Sequence, residues 1–102
     1  MEESEKRDYA WLGDAVLSLF AREWLLKKTA LNFAVRTEEF VAMTSNQFLK
    51  SIGEPTVVEA KIGKIYHEDG LESAFHWIEK ELIPVYEKQR ANKLRGKQGK
   101  RG

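Results

Sequence analysis

Residues 9–17, Tyr9-Ala10-Trp11-Leu12-Gly13-Asp14-Ala15-Val16-Leu17, hold the pattern on which the fold turns. From Asp8 to Lys28 the residues Trp11, Leu12, Ala15, Val16, Leu19, Phe20 and Trp24 return at spacings of three and four, which predicts a helix with one broad buried stripe. Arg22, Lys27 and Lys28 gather toward its C-terminal end, where cations suit the helix dipole. Two residues inside the stripe work against stability. A mid-helix glycine such as Gly13 costs roughly 0.8 to 1 kcal/mol against alanine, and a carboxylate on an apolar face, as at Asp14, is costly unless paired or metal-bound.

Outward from this helix, residues 29–36 break the period and read as a connection. Thr37 reads as an N-cap, followed by Glu38 and Glu39 in a first turn and by Phe40, Val41, Phe48, Leu49 and Ile52 on an apolar face that ends near Gly53. Pro55 suits the first position of a third helix, with Val58, Ile62, Ile65 and Tyr66 as its stripe and Asp69-Gly70 as its stop. Leu71 opens a fourth helix through Phe75, Ile78, Leu82 and Val85, kinked by Pro84. No alternation of strand type occurs, so the class is all-α.

A hydrophobic fraction of 42% with three Trp and five Phe supports one folded core in 102 residues. The formal net charge of +1 conceals an uneven distribution, because every charged side chain from Lys88 onward is basic. The expectation is a body over 1–88 and a flexible, disordered basic tail over 89–102. That tail, with Lys93, Arg95, Lys97, Lys100 and Arg101, reads either as a solubilising end or as an RNA-contacting arm whose binding is sequence-independent and weakens with salt. The absence of cysteine excludes disulfides and thiolate metal sites. The polar start MEESEKRDYA lacks the features of a signal or transit peptide, and a cytoplasmic location is expected.

The run from Tyr9 to Leu17 resembles the signature helix of the ribonuclease III family, where an aromatic, an aliphatic and Gly-Asp precede further apolar residues. The run Thr56-Val57-Val58-Glu59-Ala60-Lys61-Ile62-Gly63-Lys64-Ile65-Tyr66, with Asp69-Gly70-Leu71-Glu72 after it, resembles the same family's second acidic motif. Between them, Thr44-Ser45-Asn46-Gln47-Phe48-Leu49 is similar to the polar start of the family's middle helix. Departures accompany these matches. Arg7 and Ala10 stand where bacterial enzymes carry further glutamates, and Thr56 stands where an Asp is usual. The replacements, and the absence of room for a double-stranded-RNA-binding domain, are similar to Mini-ribonuclease III. Gly53 is followed at once by Glu54-Pro55, so a segment usual before the second motif is trimmed.

The resemblance implies a homodimeric endoribonuclease that cuts double-stranded or structured RNA, such as a ribosomal RNA precursor stem, with Mg²⁺ or Mn²⁺ held by Asp14 and Glu59. Magnesium is commonly anchored by one or two carboxylates and substrate oxygens, and it activates water and stabilises leaving-group charge. Gly13 beside Asp14 and Gly63 one turn after Glu59 suggest helices that approach closely enough for the two acids to share a metal. Thr56 reads as a first-turn residue or one that orients a metal-bound water, and Asn46 as an exposed amide or a supporting contact. His67 and His76, nine apart, form no metal pair. Trp11, Trp24 and Trp77 read as core or subunit interface. With fewer carboxylates than the family's full set, a non-catalytic RNA-binding module is the alternative.

Overall fold

In the computed structural model of the chain, which describes residues 1–28 and 31–99 with side chains through residue 94, the signature run lies in the longest helix. This helix, α1 (Glu3–Leu26), starts five residues before the expected Asp8. The reason is local: Glu3 and Glu5 favour a helix N-terminus and Lys6 pairs with Glu3 at 3.0 Å, while periodicity registers only where the helix is covered.

The next helix, α2 (Phe33–Thr44), also begins early, because Asn32 rather than Thr37 is its N-cap. Asn32 accepts from the Val35 N–H at 2.9 Å, and Thr37 lies inside the helix, its hydroxyl donating to the Phe33 carbonyl at 3.0 Å. The expected single helix to Gly53 is divided at Ser45, whose backbone is extended. The Ser45 hydroxyl donates to the Ala42 carbonyl and accepts from the Phe48 N–H, and the Thr44 hydroxyl donates to Phe40. These side chains offer the backbone an alternative to the helical ladder. A short α3 (Asn46–Leu49) follows.

The fourth element, α4 (Pro55–Asp69), matches its expected bounds, with Pro55 at its start and Gly70 beyond its end at a φ of 95°. The expected last helix is two, α5 (Leu71–Glu81) and α6 (Ile83–Gly99), meeting at Leu82. Pro84 has no N–H to continue the ladder but is tolerated in a first turn. Backbone bonds resume at once, from Tyr86 N–H to the Leu82 carbonyl at 3.0 Å. The backbone is helical through Gly99, past the boundary expected at residue 88, yet packing ends near Arg90 and residues 91–94 are exposed. Lys100 and Arg101 lie outside the described residues. Among those described there are six helices and no strand.

The core is built around Leu17, Leu49, Ile62, Ile78 and Leu82, all fully buried. Tyr86 anchors α6 there, with edge-on contacts to Trp24 at 6.0 Å and Phe48 at 5.7 Å between ring centroids. Its hydroxyl donates to the Glu39 carboxylate, which also meets Arg90 at 2.6 Å. Trp24 and Trp77 pack partly buried against this core, but Trp11 is 80% exposed and does not belong to it. The buried face of α1 is Ala10, Gly13, Val16, Leu17, Phe20, Ala21 and Leu25, of which Val16 and Phe20 belong to the expected stripe.

Small residues line that face because α1 and α4 touch backbone to backbone. A Cβ added to Gly13 would fall into the Glu59 carbonyl and 2.9 Å from the Gly63 nitrogen; one added to Gly63 would fall into the Tyr9 carbonyl. Tyr9 lies across from Gly63 and His67, and Gly13 across from Glu59, so the helices run antiparallel. An indole inward at this crossing would force them apart. Substituting Gly13→Ala or Gly63→Ala should therefore cost about 3 kcal/mol or more in urea unfolding followed by circular dichroism, since backbone cannot yield as a flexible side chain does. Gly53→Ala, where the added Cβ meets only Val58 at 3.4 Å, should stay within about 0.5 kcal/mol of the parent.

Candidate functional site

Each carboxylate arrives at the crossing by the helix register. Asp14 follows Gly13 on α1 and faces outward, exposed; Glu59 precedes Gly63 by one turn on α4 and is partly covered. Because the two glycines remove any side chain between the axes, the acids stand within hydrogen-bonding reach of each other. No Lys or Arg pairs with either among the described residues, where the ion pairs are Lys6–Glu3 and Arg90–Glu39.

This placement is electrostatically costly, and Glu59 bears the cost. Its carboxyl is raised from the ordinary 4.5 to about 7, first by burial, then by the hydrogen bond with Asp14, the Asp14 charge and, last, the Glu54 charge. Such a pair takes up a proton or a cation readily. Its donors are hard oxygens, the type that suits Mg²⁺.

Glu54 is the member that the sequence reading passed over. It is the N-cap of α4, its carboxylate accepting from the N–H groups of Thr56 at 3.2 Å and Val57 at 3.0 Å. The signal was present as an acid directly before Pro55, where helix caps are found. Thr56, a turn before Glu59, is partly buried and held through its N–H by this cap. Asn46 heads α3, exposed, and no hydrogen bond joins it to the pair among the described residues. Nor do three or more His, Asp or Glu side chains converge there as a metal-holding group. His67 and His76 are both exposed, His67 stacking obliquely near Tyr9 at 5.7 Å.

The basic element is not assembled with the pair. Lys93 is exposed on α6, the side chains of Arg95 and Lys97 lie outside those described, and α6 is rooted at Tyr86 against Trp24. Trp24 is ten residues beyond Asp14, or about 15 Å along α1. No described helix is long and apolar enough to cross a membrane. Comparison with known protein families, with curated proteins and with solved structures gives no match.

Glu59 binds its proton more tightly in the folded chain than in the unfolded one. Its contribution to stability is therefore full below pH 4.5 and is lost as the pH rises through about 7. Glu59→Gln, which keeps a neutral side chain at every pH, should unfold in EDTA like the parent at pH 4 and be more stable at pH 8, by about 1 kcal/mol because water screens part of the effect. Thermal melts across that range check it; a difference independent of pH would contradict the coupled pair.

Proposed function

We propose that the chain is a divalent-cation-dependent endoribonuclease of ribonuclease III type, cutting double-stranded or structured RNA such as a ribosomal RNA precursor stem as a homodimer. One observation carries this reading: the glycine contact between α1 and α4 holds Asp14 and Glu59 together with no lysine or arginine ion-paired to either among the described residues. The two acidic motifs of the sequence, separated by 45 positions, thus meet at one point.

Asp14 and Glu59 are the residues that would hold Mg²⁺ or Mn²⁺, which when bound activates water and stabilises charge on the departing oxygen. Glu59, partly covered and with its carboxyl pushed up to about 7, would release its proton to solvent when a divalent cation took its place. The Thr56 hydroxyl, one turn away, is the candidate for orienting a water. Shape-based recognition of an A-form duplex requires no base-reading motif.

The homodimer draws support from apolar residues left outside the core. Trp11, Leu19 and Leu26 recur along the outer side of α1, and Phe33 and Val41 are exposed on α2, Trp11 at 80% and Phe33 at 77%. A second copy covering them would set two carboxylate pairs along one duplex, one for each strand. The alternative is a non-catalytic RNA-binding module. Two carboxylates with no third ligand among the described residues favour it.

Purified protein with a duplex RNA and Mg²⁺ should cleave, and Asp14→Asn and Glu59→Gln should each slow cleavage by about two orders of magnitude or more, equivalent to ~2.7 kcal/mol. Mg²⁺ should also raise the melting temperature of the parent but of neither variant. Binding without cleavage in either Mg²⁺ or Mn²⁺ leaves the module. By light scattering the parent should be a dimer, and Trp11→Ser with Phe33→Ser should shift it toward monomer without loss of helicity.

A further inference from the structure

A cleft of about 570 Å³ lies between the C-terminal end of α1 and α6, away from Asp14 and Glu59. Trp24, Lys27 and Lys28 form one wall, and Tyr86, Arg90 and Leu94 form the other. The Lys28 ammonium sits 4.3 Å from the centroid of the Trp24 ring, and neither Lys27 nor Lys28 has an acidic partner among the described residues. Arg90 is met by Glu39, and Glu87 is the one carboxylate on the cleft wall.

Favourable interaction with the end of the α1 dipole accounts for lysines at this position. It does not account for their joining a cleft walled by Trp24 on their own side and by Tyr86 and Arg90 opposite. The length of α1 adds a second constraint. Lys27 and Lys28 lie just past Leu26, the last residue of α1, which follows Asp14 by twelve residues, roughly 18 Å along the helix. A ligand that reaches both Asp14 and these lysines must be an extended polyanion, and a duplex offers a phosphate for each ~1.7 Å of its axis.

We propose that this cleft is a second contact for RNA, in which Lys27 and Lys28 take the sugar-phosphate backbone of the duplex whose scissile region lies at Asp14 and Glu59. The inference rests on the RNA reading above and names the surface that holds the substrate beyond the carboxylate pair. Contact of this kind is independent of sequence and strongly dependent on salt.

The test measures binding of a mixed-sequence RNA duplex of about 30 base pairs to the full chain carrying Glu59→Gln, between about 50 and 200 mM salt. Adding Lys27→Glu and Lys28→Glu should weaken binding at least tenfold and lower the slope of log affinity against log salt by about two. Lys50→Glu with Lys80→Glu, which changes net charge equally on other exposed positions, should have less than about a threefold effect; Lys27→Gln with Lys28→Gln should give the same slope change without charge reversal. Unchanged affinity and slope in the cleft variant, or an equal loss in the control pair, overturns the cleft. Cleavage by the parent in Mg²⁺, measured separately, keeps the nuclease reading standing in that event. Absence of cleavage with cleft-dependent binding sinks the nuclease and supports the cleft. Binding to phosphatidylserine vesicles with none to RNA overturns the proposal in favour of a membrane surface.

Discussion

Everything in this structure hangs on the contact of two helix backbones at Gly13 and Gly63. No other residue fits at either position, because a single Cβ would occupy the space of a carbonyl oxygen on the facing helix. The cost of two mid-helix glycines is offset by the close packing they allow. That packing continues on both sides through Ala10, Leu17 and Ala21 on α1 and through Val58, Ala60 and Ile62 on α4, all buried. The remaining helices arrange themselves on this pair: α5 against both, α2 along α1, and α6 secured by Tyr86 and Arg90 to Glu39.

The same contact governs the electrostatics. Helices packed at ordinary separation would leave Asp14 and Glu59 to solvent, each with its own hydration shell. Drawn together, they share a partly dry space in which two negative charges are unfavourable, and the Glu59 carboxyl responds by holding its proton to about pH 7. A cation in that space would relieve the burial and the repulsion together. The proposed nuclease thus uses an interaction in which two carboxylates alone are destabilising. Among the described residues neither acid has a lysine or arginine within ion-pair distance.

The departures from the expected elements have separate physical causes. Before Asp8 the start of α1 is exposed and polar and carries no periodic signal, whereas at the start of α2 the apolar Phe33 and Ala34 are exposed and mark no buried stripe. The break at Ser45 comes from hydroxyls competing for backbone groups, a choice that apolar spacing does not record. Trp11 lies in the apolar period yet points outward, because α1 has apolar residues on more than one side and its inner side admits only small ones at the crossing.

The sequence by itself determined the all-α class, the helix over α4 with its Pro55 start and Gly70 stop, and the two acids worth attention, since a carboxylate and a glycine in an apolar helical run are each costly and legible in one dimension. Only the tertiary structure decided that Asp14 and Glu59 meet, that Glu54 adds its charge, and that Trp24, Lys27 and Lys28 face α6 across a cleft. Periodicity specifies which residues share a face of one helix. The pairing of faces depends on the distance between helix axes, and that distance is set by backbone contact at two glycines 50 positions apart.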